Sequence, residues 1–161
     1  MATDLSEVRS TLNDLIETCK DAQQGFRDAA EKIQDGQIRT LFLKYSVQRS
    51  EFAGELQAEV TRIGGEPAKS GSTGGAIHRG WIGLKAALTG DNSYAILAEA
   101  ERGEDAAVKN YREALGKDLP SDIHDILKSQ LREVHQTHDI VRQLRDAARP
   151  VTSTGGTGSP A

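Results

Sequence analysis

Four long segments of this chain repeat apolar residues with the period of an α-helix, about 3.6 residues. They cover residues 4–34, 37–63, 92–117 and 121–148, and Asp-Gly, Gly-Gly and proline-containing breaks separate them. Only 4% of the residues are aromatic, so the apolar stripes consist mainly of Leu, Ile, Val and Ala. Such stripes can be buried only when the helices pack against one another. The pattern therefore predicts an all-α four-helix bundle over residues 4–148.

The lengths of the connections predict how the helices are joined. The first and last connections are short, so helices one and two, and helices three and four, each form an antiparallel hairpin. The middle connection, residues 64–91, is long and contains a Gly/Ser-rich stretch followed by a short amphipathic segment around Trp81 and Leu84. Two hairpins joined by one long crossover with a short helix form the ferritin-like arrangement. Residues 149–161 are rich in Gly, Ser, Thr and Pro, and we expect a disordered tail there.

Charge, hydropathy and cysteine content argue against several classes of protein. The net charge is −4 and charges of both signs alternate along each helix, so we expect no nucleic-acid surface. No run of about 18 apolar residues is present, so we expect no membrane span. Residues 1–7 lack the basic start and apolar run of a secretory signal. The single cysteine, Cys19, excludes an internal disulfide. The expected location is the cytoplasm.

Glu104 stands on the apolar stripe of the third long helix, one turn from Ala100 and Val108. A carboxylate buried among apolar side chains is costly unless it is paired with a cation, protonated or bound to a metal. The partner of Glu104 is therefore the main functional question that the sequence raises.

A ferritin-like dinuclear metal site would need a carboxylate from each of two helices and a Glu-x-x-His pair from each of the other two. The second helix contains no histidine, and Phe52 stands where a histidine ligand would be expected, three residues after Arg49. We therefore favour a closed, structural polar network in which Arg49 takes the place of a metal and neutralises Glu104. The residues expected in this network are Gln23, Arg49, Glu104, Gln130 and His138.

The competing hypothesis is a metal site. It would use Glu104 and His138, with His135 three residues before His138. Glu55 or Glu59 would support these ligands from the second helix. Iron or manganese would then be the cofactor, whereas the network hypothesis expects none.

Several short motifs resemble those of a known bacterial family. They are Gly64-Gly65-Glu66-Pro67, His78-Arg79-Gly80-Trp81 and Glu101-Arg102-Gly103-Glu104-Asp105. Across residues 4–147 the chain is similar to ferritin-like four-helix-bundle proteins that form a domain family of unknown function. The resemblance implies the ferritin-like fold. The wider superfamily includes oxygen-activating and iron-storing di-iron proteins, and this chain departs from their pattern at Gln23, Arg49 and Phe52.

Together these features favour a non-enzymatic binding or assembly protein with a degenerate metal site. The superfamily adds an association with stress, which rests on the fold alone. The alternative is a metal-binding, ferroxidase-type oxidoreductase that uses iron or manganese. We expect a homo-oligomer, with a dimer as the simplest form, and neither nucleic acid nor membrane as a partner.

Overall fold

The computed structural model describes residues 3–68, 81–90 and 92–149, and these residues form helices joined by turns. There are four long helices and one short helix. In chain order they are α1 (Leu5–Lys32), α2 (Gly36–Arg62), α3 (Leu84–Thr89), α4 (Ser93–Leu115) and α5 (Ser121–Ala147). The bundle and its crossover helix match the architecture predicted from the helical periodicity.

Local signals in the sequence explain where three of the long helices begin. The side chains of Asp4, Asp35 and Asn92 each accept hydrogen bonds from two backbone N–H groups in the first turn of α1, α2 and α4. At the end of α2, Gly64 has φ of +85°, a left-handed conformation that favours glycine. These caps satisfy backbone groups that would otherwise lack partners, and they set the lengths of the helices.

The helices pair as two hairpins. α1 packs mainly on α2, and α4 packs mainly on α5, while α1 also contacts α4 and joins the two pairs. The short helix α3 packs on α1 and α4. This is the ferritin-like arrangement, with the long connection between the second and third long helices.

The apolar core consists of two clusters that follow one another along the bundle axis. One contains Leu12, Leu56 and Ile123, and the other contains Phe26 and Leu97, with many other buried side chains in each. Along α2 and α4, the boundary between the two clusters falls at Arg49 and Glu104. Arg49 and Glu104, which are both buried, therefore lie midway along the bundle.

Trp81 anchors the crossover to the bundle. Its indole ring lies against the backbones of Gly25 in α1 and Gly103 in α4, so closely that a Cβ atom at either glycine would overlap the ring. The ring also packs edge-on against Phe26, with centroids 5.1 Å apart. Next to it, the backbone N–H of Gly83 donates to the buried carboxylate of Glu99 over 2.7 Å. These contacts set the position of α3 against α4.

Residues 150–161 of the predicted tail at 149–161, and the Gly/Ser-rich stretch at 71–75, lie outside the described residues. No helix in the described part of the chain combines the length and the apolar character that a membrane span requires.

Candidate functional site

The centre of the bundle holds an ion pair between Arg49 of α2 and Glu104 of α4. Both side chains are inaccessible to solvent, with exposed fractions of 1% and 0%. Arg49 Nη1 donates to Glu104 Oε2 over 2.6 Å, and Nη2 donates to Oε1, so the contact is bidentate. The guanidinium carbon also lies 5.6 Å from the centre of the Phe26 ring. Both carboxylate oxygens of Glu104 are therefore engaged by one cation.

The electrostatics of the pair follow from its burial. Removal from water lowers the pKa of the Arg49 guanidinium, because burial disfavours a charge. The attraction and hydrogen bonds of Glu104 outweigh this effect and leave the pKa of Arg49 above its ordinary value. The charge of Arg49 is thus retained because Glu104 lies beside it, and either side chain would be costly to bury without the other.

A second polar chain runs from the core to the surface and connects all four long helices. The Cys19 thiol of α1 lies 3.2 Å from the Tyr111 hydroxyl of α4. That hydroxyl donates to Gln130 Oε1 of α5 over 2.6 Å, and Gln130 Nε2 donates to Glu55 Oε1 of α2 over 2.6 Å. Gln130 Nε2 also donates to the carbonyl of Phe52 over 3.5 Å. A chain of this kind fixes the register of the helices, because a shift of any helix breaks one link.

The thiol and the phenol in this chain are held in their neutral forms. Burial raises the pKa of Cys19 to about 11, although its hydrogen bond to Tyr111 opposes the shift. Burial also raises the pKa of Tyr111 well above its ordinary value. Because a thiolate rather than a thiol is the nucleophile, Cys19 is unsuited to covalent catalysis at neutral pH.

The structure brings some of the predicted network residues together and separates others. Arg49 and Glu104 contact each other as the network hypothesis requires, while Gln130 belongs to the second chain. His138 points to the edge of the α4–α5 hairpin and contacts Asp105 rather than Glu104. At Gln23, the backbone carbonyl accepts a hydrogen bond from the Ser46 hydroxyl over 2.8 Å.

The residues of the alternative metal hypothesis are dispersed in the same way. Glu55 accepts from Gln130, and Glu59 pairs with Arg62 on the surface over 2.6 Å. His135 Nε2 lies 3.0 Å from a guanidinium nitrogen of Arg112. In the described part of the chain, none of these three side chains forms a hydrogen bond or ion pair with Glu104, whose partner is Arg49.

The donors at the centre do not fit the dinuclear metal site that ferritin-like folds can carry. Such a site needs several carboxylates and two histidines directed at one point. Here a guanidinium engages both oxygens of the central carboxylate. Burial, together with the charge of Glu104, also raises the pKa of Cys19, Tyr45 and Tyr111, which are neutral groups. A guanidinium cannot act as a ligand, because it has no acceptor atom and stays charged.

A different cluster of possible metal ligands lies at the edge of the α4–α5 hairpin. Ligand atoms of Glu101, Asp105 and His138 lie within 4.8 Å of one another. His138 Nε2 is 2.6 Å from Asp105 Oδ1 and 3.9 Å from Glu101 Oε2. Glu101 and Asp105 stand in the Glu101-Arg102-Gly103-Glu104-Asp105 motif, but neither was among the metal ligands expected from the sequence. The signal was present, because residues four apart on a helix share one face.

The chain matches the model of one protein family, described as Domain of unknown function (DUF2383), over residues 7–117. No curated protein sequence matches the chain significantly. Among solved structures, a point mutant of Dps1 from Mycobacterium smegmatis superposes with a TM-score of 0.73 at 18% identity, covering 88% of this chain and 96% of that one. At this identity the likeness shows the fold alone, and it confirms the predicted ferritin-like bundle. The family match confirms the resemblance drawn from the motifs: the chain belongs to the DUF2383 family of ferritin-like domains of unknown function.

Proposed function

We propose that this protein is a non-catalytic ferritin-like bundle, a binding or assembly protein whose centre is closed by an ion pair. The observation that carries the proposal is the bidentate contact between Arg49 and Glu104, in which one fully buried guanidinium engages both oxygens of the most deeply buried carboxylate among the described residues. The carboxylate is thereby used for stability rather than for chemistry.

The charge of Arg49 supports this proposal. A metal ion that approached Glu104 would meet a fixed positive charge at hydrogen-bond distance from the same oxygens. Two like unit charges 4 Å apart repel each other by about 4 kcal/mol at an effective dielectric constant of about 20, and a divalent ion doubles this value. To bind there, the ion would have to displace Arg49, whose charge would then be buried without a partner.

The test is the rate of iron oxidation. Protein purified without a chelator or an affinity tag is mixed with Fe(II) in air, and the rate is compared with buffer and with the Glu104→Gln variant. Bound iron and manganese are measured by mass spectrometry in the same samples. We expect the rate to equal that of buffer, and we expect the variant to carry as much metal as the parent protein.

Stoichiometric iron or manganese that is lost in Glu104→Gln, or oxidation that depends on Glu104, would overturn the proposal in favour of a ferroxidase-type oxidoreductase. The Asp105→Ala variant is the matched control. It removes a carboxylate from the surface cluster on the same helix, so metal that is held outside the bundle centre is recognised as such.

Self-association is part of the proposed role, and a homodimer is its simplest form. Leu43 and Val47 lie one turn apart on α2 and are 45% and 58% exposed. Exposed apolar side chains at this spacing form a surface that a second copy can cover.

Sedimentation should show an oligomer that Val47→Glu dissociates. Ile140→Glu on α5, where Ile140 is 39% exposed, is the matched control and should leave the oligomer intact. A monomeric parent protein would remove this part of the proposal.

A further inference from the structure

We propose that Glu101, Asp105 and His138 form a binding site for a divalent cation at the edge of the α4–α5 hairpin, and that Zn²⁺ is the ion that fits it. The site goes beyond the closed bundle centre, because it uses neither Arg49 nor Glu104. It brings together one imidazole nitrogen and two carboxylate oxygens from two helices. Zinc binds imidazole nitrogen and carboxylate oxygen, and a zinc site with three protein ligands keeps its fourth position for water.

The distances between the donor atoms suit a zinc ion. With bonds of about 2.0–2.1 Å and tetrahedral angles, two ligand atoms of a zinc site are about 3.3 Å apart. His138 Nε2 lies 2.6 Å from Asp105 Oδ1 and 3.9 Å from Glu101 Oε2, on either side of that value. Small side-chain rotations would therefore place an ion among the three atoms. The ion would replace the hydrogen bond between His138 and Asp105.

Neighbouring side chains orient two of the three ligands. His138 Nδ1 lies 3.2 Å from Asp139 Oδ1. With an ion bound, Asp139 would accept the hydrogen bond from Nδ1, and Nε2, which now contacts Asp105 Oδ1, would bind the ion with its lone pair. Arg145 Nη1 contacts Glu101 Oε1, which leaves Oε2 directed at His138. Supporting contacts of this type distinguish a metal site from carboxylates that merely lie close together, because they fix which donor atom is available.

Exposure and charge also fit a site that exchanges its ion with solvent. The side chains of Glu101 and His138 are 11% and 12% exposed, whereas that of Asp105 is 62% exposed. The ion would therefore enter from the Asp105 side. There, Asp105 and His138 also line a surface groove of about 330 Å³. Three protein ligands leave a fourth position for water. The carboxylates of Glu101, Asp105 and Asp139 together balance the charges of the ion and of Arg145.

Titration calorimetry with Zn²⁺ on the full, untagged chain tests the site. We expect one ion per chain, with an affinity that falls at least tenfold in Asp105→Ala and in His138→Ala. Because Asp105 is largely exposed, its variant keeps the fold even if the histidine variant does not. The matched controls are His124→Ala and Asp125→Ala, which make the same substitutions near the start of α5 and should keep the parental affinity.

Three results would overturn the inference. These are an absence of zinc binding, binding that survives both Asp105→Ala and His138→Ala, and binding lost in His135→Ala but kept in Asp105→Ala. The last result would move the site to the His135 side of the groove. Failure here leaves the closed-centre proposal unaffected, because that proposal is tested by redox-active iron and by Glu104→Gln.

Discussion

Glu101 and Glu104 are the same residue type on the same helix, less than one turn apart, and they lie in opposite surroundings. Glu104 is fully buried and engaged through both oxygens by Arg49 of α2. Glu101 lies at the edge of the hairpin, where one oxygen contacts Arg145 of α5 and the other lies 3.9 Å from His138. The comparison shows that the contacts of the partner arginine determine whether a carboxylate oxygen is available. Arg49 of α2 engages both oxygens of Glu104, whereas Arg145 of α5 contacts one oxygen of Glu101.

The two arginines should differ in the stability that they provide. Removing one partner of a fully buried ion pair leaves a charge without water or counterion, whereas solvent stabilises a charge left alone at the surface. Arg49 is 1% exposed and Arg145 is 24% exposed. The same substitution at both arginines therefore compares Glu104, which is engaged through both oxygens, with Glu101, which is engaged through one.

The largest expected effect is that of Arg49→Met, which leaves Glu104 buried and unpaired. We expect a loss of about 3–5 kcal/mol in the free energy of unfolding. Arg145→Met, which leaves the 11% exposed Glu101 side chain beside His138, should lose less than Arg49→Met. Urea denaturation followed by far-UV circular dichroism measures both values.

The double variant Arg49→Met/Glu104→Leu is the control for this prediction. It replaces both charges by apolar groups of similar size, so most of the loss should be recovered. Equal losses in Arg49→Met and Arg145→Met, or no recovery in the double variant, would show that the buried pair is not the special contact of the bundle.

A smaller effect is expected from Gly103→Ala, which changes one of the two residues between Glu101 and Glu104. The new methyl group would overlap the Trp81 ring, which packs on Phe26 beside Arg49. We expect a loss of about 1–3 kcal/mol, as for other overpacked contacts. The fluorescence of Trp81, the only tryptophan, should shift to longer wavelength as the ring moves towards solvent.

Gly54→Ala is the control for this substitution. A Cβ atom at Gly54 would meet nothing within 4 Å on the exposed face of α2. Alanine is the better helix former, so this variant should gain about 0.5–1 kcal/mol. A loss at Gly54 as large as that at Gly103 would mean that the effect comes from the helix backbone and not from the anchored crossover.

Much of the fold could be predicted from the sequence, because helical periodicity and capping residues act locally. The stripes that carry Phe26 in α1 and Leu97 in α4 define which faces are buried, and the long connection after Gly64 defines the crossover. The position of Glu104 on its stripe also showed that it needs a cationic partner, a proton or a metal, and Arg49 of α2 lies within hydrogen-bond reach of it.

The partners of His138 could not be predicted in the same way. Its position on the stripe of α5 indicated an inward direction, but the side chain ends at the edge of the hairpin, against Asp105. Periodicity at about 100° per residue does not determine which of two neighbouring side chains a residue at the rim of a stripe will reach. Glu101 and Asp105 were missed because their significance depends on the histidine across from them.

The smallest expected effect concerns the thiol of Cys19, at the buried end of the polar chain that continues through Tyr111 and Gln130. Burial raises the pKa of this thiol from 9.0 to about 11. Between these values the folded state keeps a proton that the unfolded state releases, so the thiol's contribution to stability is complete below pH 9 and is lost as the pH rises through 11. From pH 9 to pH 10 the parent protein should lose about 1 kcal/mol from this group. Urea denaturation at a series of pH values should show a smaller loss over this window in Cys19→Ala than in the parent protein. An identical slope in the two proteins would mean that the thiol is not buried as the structure places it.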